Sequence, residues 1–250
     1  MKKSKKQSVE QVWLWEKGEV RNRNEDVICI RNVCTAKGVC ALYGIFDGIG
    51  GYEGGGEAAA LAGSRMEEWF DGQLLPLLEE VGSRTFGATQ RLYRRLIQNS
   101  GSLLFSKLNE ELFRMGRRNG YICGCTAAVC LLWQETVYWF HVGDGGVYCT
   151  KSQQSLTKVH CTPRGELFRC LGGNRDGRVD FGCRKLAGDL FLVCSDGFLE
   201  KIEWEEIRES LLSCEKEKKQ LEKRIRKIRE YQRLRKSEDN SSAILFWRGR

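Results

Sequence analysis

The 250-residue sequence contains only two histidines and two prolines. So little imidazole leaves few ligands for a histidine-rich zinc centre, and the twelve cysteines include no C-x-x-C pair. The nearest approach is Cys123-Gly124-Cys125, for which packing is the better role. Cys29, Cys40, Cys130 and Cys194 lie in apolar strand-like runs, where cysteine behaves as a small hydrophobe, so reduced thiols are expected. No stretch approaches the roughly 20 apolar residues of a membrane span, and the opening Met1-Lys2-Lys3-Ser4-Lys5-Lys6 runs into no apolar segment of a signal peptide. A cytoplasmic location is the expectation. With so few prolines, the 28 glycines must punctuate the loops. There is no repeat and no Ser/Gly-rich linker. One domain over 1–250 is therefore expected, with a basic N-terminal tail over 1–10 and 41% hydrophobic residues to build its core.

What is abundant is positive charge, +8 net, concentrated at the two ends. The segment 215–236 carries eleven basic residues against four acids, with Leu221, Ile225, Ile228 and Leu234 as a partial helical stripe. A solvated helix face is the plain reading. The sharper one is a docking surface for an acidic or phosphorylated protein or an anionic membrane; without interleaved aromatics, nucleic acid is not an expected partner.

Strand-like runs fall at 27–34, 39–46, 126–133, 136–142, 146–150, 190–194 and 243–247. Two helical blocks interrupt them and a third precedes the last. In the first block Ala58, Leu61, Ala62, Met66 and Trp69 share one face; in the second Leu92, Leu96, Leu104, Leu108 and Leu112 recur at multiples of four. Strands in runs with segregated helices predict an α+β fold, not a doubly wound parallel sheet.

The chemistry begins where the apolar run Ala41 to Phe46 ends in Asp47-Gly48-Ile49-Gly50-Gly51. A strand-end carboxylate beside glycine can bind a hard cation, with the Gly48 carbonyl as a further oxygen ligand. The spacing fits neither G-x-G-x-x-G nor the P-loop, so a phosphate-cradling loop is disfavoured. Leu190 to Cys194 likewise runs into Ser195-Asp196-Gly197. Glu238-Asp239-Asn240 precedes the last apolar run, and Asn24-Glu25-Asp26 precedes the strand from Val27. Each alone is a turn or a cap. Together they suggest a carboxylate site for magnesium or manganese.

The order of these motifs resembles the metal-dependent protein phosphatases of the type 2C (PPM) class, especially their compact bacterial branch. Arg21-Asn22-Arg23-Asn24-Glu25-Asp26 is similar to the family's R-x-x-N-E-D, and Asp47 to Gly51 to its D-G-[HM]-G-G. Gly124-Cys125-Thr126, Val142-Gly143-Asp144, Cys194-Ser195-Asp196-Gly197 and Asp239-Asn240 follow in the family's order. The resemblance implies an α-β-β-α sandwich of two mainly antiparallel sheets. It implies a monomer that hydrolyses phosphoserine and phosphothreonine on proteins, reversing a Ser/Thr kinase, without a covalent phosphoenzyme. Two Mn2+ or Mg2+ ions are implied, bridged by Asp47 and held by Gly48, Asp196 and Asp239, with Asp144 in a weaker third site. Glu25 and Asp26 would hold the ions' waters, and Arg21 the substrate phosphate. The alternative is an inactive phosphatase fold that binds phosphoproteins. Three departures stand out: Ile49 replaces His or Met, Gly145-Gly146 replaces Ser-Arg, and the segment from Thr157 to Asp189 is short for the family's flap. Of the histidines, His141 is expected in the core and His160 has no assigned role.

Overall fold

A computed structural model describes residues 8–49, 54–84, 89–173 and 176–249. Among the described residues, nine strands form two antiparallel sheets. The first sheet contains β2 (Asp26–Thr35), β3 (Gly38–Asp47), β4 (Ala127–Trp133), β5 (Thr136–Val142) and β7 (Asp180–Lys185), in the order β2-β3-β4-β5-β7. The second contains β1 (Val9–Glu16), β6 (Gly146–Cys149), β8 (Phe191–Cys194) and β9 (Ser241–Arg248), in the order β1-β9-β8-β6. Helices α1 (Gly55–Trp69), α2 (Leu75–Arg84) and α3 (Gln90–Asn119) accompany the first sheet; α1 passes into α2 through a π-helical turn, Phe70–Leu74. Helices α4 (Trp204–Leu212) and α5 (Lys218–Leu234) pack on the second.

The period-two alternation of the strands explains the layering. On β3, Cys40, Leu42 and Phe46 face α1 and α3, while Val39, Ala41, Tyr43 and Ile45 face the other sheet. On β9, Ile244 and Phe246 meet that inter-sheet layer, while Ala243, Leu245 and Trp247 meet α4 and α5. The Tyr43 and Phe246 rings stack across the two sheets at 4.3 Å. With both faces covered, these strands read in sequence as unbroken apolar runs. The result is the expected α-β-β-α sandwich. All twelve cysteines are free thiols, as expected. Among the described residues no helix is long and apolar enough to cross a membrane.

The structure corrects five details. The basic tail is shorter than 1–10, because Val9 and Glu10 already belong to β1; residues 1–7 lie outside the described set. Helix α4 precedes the basic helix, and strand β7 lies inside the segment after Thr157. On α3 the buried face is Tyr93, Ile97, Phe105, Leu108 and Leu112, with Leu92, Leu96 and Leu104 on its flank. A strict spacing of four drifts around a helix of 3.6 residues per turn. On α5 Leu234 is 83% exposed, and the stripe through Leu221, Ile225 and Ile228 continues instead to Gln232.

Candidate metal and phosphate site

Antiparallel pairing brings the matched segments to one end of the sandwich. Asp26, the first residue of β2, pairs with Asp47, the last of β3. The β5–β6 turn supplies Asp144, the end of β8 supplies Asp196, and the start of β9 follows Asp239. A cleft of about 410 Å³ is lined by Arg21, Glu25, Asp47, Gly48, Ile49, Thr126, Asp144, Leu167, Asp196, Asp239 and Asn240. Every expected site residue except Asp26 lines it. Gly50 and Gly51 fall outside the described residues.

Asp26 lies behind the cleft, 1% exposed; neither carboxylate oxygen makes a hydrogen bond of good geometry among the described residues, and the nearby Ser242, Ser195 and Asp47 side chains only partly offset its burial. Its backbone is pinned from both sides: the Asn24 side chain accepts from its N–H at 3.0 Å, and Trp15 Nε1 donates to its carbonyl at 2.8 Å. Burial pushes its carboxyl up to about 6, and the nearby Asp196 charge adds to the shift. Burial likewise raises Asp47 well above the usual carboxylate range, with Asp26 and Asp196 reinforcing it. Asp144, Asp196 and Asp239 are raised too, chiefly by burial; neighbouring aspartates come second at Asp196 and Asp239, whereas at Asp144 hydrogen bonds offset part of the shift and Asp239 adds least. Five carboxylates thus crowd together with too little compensating charge, the signature of a cation site. Arg21, the one basic side chain among the described residues lining the cleft, reaches Asp239 at 2.8 Å. Glu25 pairs with Arg23 at 2.7 Å.

The loops themselves are built for close approach. Gly143 adopts φ +113° beside Thr126, which lets the chain turn immediately before Asp144. At Gly197 a Cβ would lie 1.9 Å from the Asn240 carbonyl, so only glycine allows the Asp196 and Asp239 segments to touch.

Both histidines lie beside this site, at the Asp144 turn. His141 and His160, with Asp180, bring ligand-type atoms within 4.8 Å of one another. Hydrogen bonding argues against a metal centre there. His160 Nδ1 accepts from Gly143 N–H at 3.0 Å, so Nε2 carries the proton and turns it to Asp180 at 3.3 Å. A metal at Nε2 would require a proton at Nδ1, facing another donor. Arg169, 3.3 Å from Asp180 Oδ1, already supplies the positive charge. The pair instead clamps the Asp144 turn: His160 N–H donates to Gly143 O at 2.8 Å, and His141 Nε2 meets Gly145 O at 2.9 Å. His141 is in the core as expected, and burial lowers it to about 4. The short segment after Thr157 still reaches the cleft, through Leu167.

Sequence reading missed three side chains that brace the carboxylate loops. Glu200 follows the Asp196 turn, and Arg229 and Gln232 lie on the inner face of α5. The signal was present: an Arg beside an apolar stripe and a Gln within it, on a helix whose remaining polar residues face water.

A family model described as Protein phosphatase 2C matches residues 22–236. Sequence comparison with curated proteins finds no match. Among solved structures, the serine/threonine phosphatase Stp1 from Staphylococcus aureus superposes with a TM-score of 0.78 at 19% identity, covering 96% of this chain and 95% of that one. The catalytic domain of the serine/threonine protein phosphatase PstP, in complex with two manganese ions, gives 0.71 at 19% identity over 97% and 99%. PppA, a regulatory component of the T6SS in Pseudomonas aeruginosa, gives 0.71 at 19% identity over 96% and 98%. These structural likenesses establish the fold, and the family match starts at Asn22, just past Arg21, runs through the N-E-D, D-G, V-G-D and S-D-G segments and ends before Asp239-Asn240: the chain belongs to the protein phosphatase 2C family, the manganese- or magnesium-dependent protein serine/threonine phosphatases.

Proposed function

We propose that this chain, acting as a single-domain monomer, hydrolyses phosphoserine and phosphothreonine on proteins and so opposes a Ser/Thr kinase. The observation that carries the reading is the carboxylate cluster. Asp26, Asp47, Asp144, Asp196 and Asp239 converge, all are held above their ordinary range, and Arg21 is the one basic side chain lining the adjoining cleft among the described residues. An all-oxygen donor set fits two manganese or magnesium ions and not zinc. Asp47, in charge contact with both Asp26 and Asp196, would hold the ions together with the Gly48 carbonyl, Asp196 and Asp239, and Asp144 would serve a weaker third position. Ions bound there supply an activated water and neutralise charge at phosphorus. Asp26, behind Asp47, and Glu25, at the cleft wall, orient water. Arg21 turns its guanidinium from Asp239 to the substrate's phosphate oxygens, for which its planar fork is suited. Ile49 leaves no imidazole in the cleft among the described residues, so the leaving oxygen takes its proton from water or a carboxyl group.

The exposed cations Lys219, Lys223, Arg226 and Lys227 on α5, in no ion pair among the described residues, suit recognition of acidic phosphoproteins. The deciding assay measures phosphate release from a phosphothreonine peptide in manganese, magnesium or chelator. Activity that is lost in chelator and restored by manganese supports the reading. Full activity in excess chelator would sink it.

A further inference from the structure

Asp196 and Asp239 lie on separate segments, and the ladder between β8 and β9 ends just short of them. Its last rungs are Cys194 opposite Ala243 and the Ser195 N–H bond to Ser242 O at 3.0 Å. Beyond that point the Asp196 charge works against the Asp239 carboxylate, and Asp239 in turn against Asp144. Something besides the sheet must fix their spacing.

Three side chains do so. Glu200 Oε2 accepts from Ser237 Oγ at 2.8 Å, Glu238 N–H at 3.0 Å and Asp239 N–H at 3.1 Å, tying the loop after Asp196 to the loop carrying Asp239. Although burial works against it, these bonds hold the Glu200 carboxyl below its ordinary value. Gln232, 0% exposed, places Nε2 at 2.8–3.2 Å from the carbonyls of Gly197, Phe198 and Glu200. Arg229, 1% exposed, donates to Ser237 Oγ at 2.9 Å and to the Asp239 carbonyl at 3.3 Å. One turn of α5 therefore grips the Asp196 loop with one side chain and the Asp239 loop with another.

Helix packing alone does not call for these residues. Leu221, Ile225 and Ile228 already bury the apolar stripe. A buried guanidinium is costly unless paired, and the nearest carboxylate, Glu16, is 3.7 Å from Nε, which has no hydrogen bond of its own among the described residues. Its charge is answered by Glu16, Glu19 and Glu200, while its Nη atoms hold Ser237 and the Asp239 backbone. Resting on the phosphatase reading, we propose that Arg229 and Gln232, with Glu200, are positioning residues that set the separation of Asp196 and Asp239 for metal. Helix α5 thus contributes to the chemistry from its inner face.

The test uses the full chain. Arg229→Met, Arg229→Lys, Gln232→Met and Ser237→Ala are compared with Gln220→Ala on the exposed side of the same helix, after a thermal melt confirms folding. Ser237→Ala removes the hydroxyl shared by Glu200 and Arg229 without burying a new charge, so it serves even if Arg229→Met does not fold. Calorimetric manganese titration should show about tenfold weaker binding for Arg229→Met and Gln232→Met, about threefold for Ser237→Ala, partial rescue in Arg229→Lys, and none of this in Gln220→Ala. Hydrogen exchange in chelator should speed up at amides 197–200 and 237–240 in the same order. Turnover at saturating manganese should recover to within about threefold, because the loss lies in metal affinity. Folded variants with wild-type exchange and wild-type manganese affinity would overturn the proposal. If the wild type binds no manganese, the phosphatase reading fails, and the exchange comparison alone still decides whether α5 holds the two loops.

Discussion

The clearest quantitative consequence concerns Asp26, whose carboxyl is pushed from 3.8 to about 6, chiefly by burial. A group raised in the folded state contributes stability below its unfolded value, near pH 4, and that contribution is lost as pH rises through about 6. At pH 7.5 keeping the buried Asp26 ionised costs the metal-free protein roughly 3 kcal/mol. Asp26→Asn removes that cost but leaves a buried amide incompletely bonded, at about 1–2 kcal/mol. The net gain of about 1–2 kcal/mol should raise the melting temperature by roughly 2–8 °C for a chain of this size. Melts in chelator at pH 4.5, 6 and 7.5 measure it. The variant should gain on the wild type as pH rises and show little or no advantage at pH 4.5. Added manganese should reverse the order, because Asp26 then faces the positive charge it lacks. If Asp26→Asn shifts the melting temperature equally at pH 4.5 and 7.5 in chelator, burial is not straining this carboxylate and the reading of the cluster as a cation site loses its main support.

Asp47→Asn removes the charge shared across the cluster and should cost at least ~10³ in turnover, about 4 kcal/mol of barrier, without lowering stability in chelator; steady-state kinetics and a melt check both. Arg21→Gln should weaken phosphate-bearing substrates yet bind manganese up to about fivefold more tightly, since the part-exposed 2.8 Å pair with Asp239 is worth at most about 1 kcal/mol. Weaker manganese binding by calorimetry would refute that competition. Exchanging Lys219, Lys223, Arg226 and Lys227 for Gln should leave turnover of a small aryl phosphate nearly intact and slow an acidic phosphoprotein; an equal fall in both would remove the docking role. Ile49→His should help a phosphoserine peptide more than an aryl phosphate, whose leaving group needs no proton, and equal effects on both would show that protonation is not limiting.

Most of the sandwich was legible because β3, β4, β8 and β9 are covered on both faces and read as apolar runs, of which β3 and β8 lead into Asp-Gly and β9 follows Asp-Asn. The two strands that escaped are edges. In β1, Val12 and Leu14 are buried while Trp13 and Trp15 are about half exposed, so hydrophobicity does not alternate although burial does. In β7, Asp180 to Lys185 is part-buried almost throughout and carries charge at both ends. The carboxylates were legible for a different reason: a charged residue at the end of an apolar strand has no packing explanation, so each one demanded a chemical one. The residues that brace them gave no such contrast. Arg229 and Gln232 sit in a segment with eleven basic residues, where one more arginine and one glutamine look like solvated surface.

Only the helical phase separates the two cases. Stepping from Leu221 by four, three and four reaches Ile225, Ile228 and Gln232, and Arg229 lies beside the same face. A polar side chain at a position that geometry assigns to the core must find hydrogen-bond partners there or destabilise the fold. On α5 the available partners are the carbonyls and hydroxyl of the two loops that carry Asp196 and Asp239. The proposed docking role of its outward cations and the proposed positioning role of its inward polar pair would thus be separable on one helix. Its outward cations can change without touching the carboxylates, whereas its inward polar pair cannot.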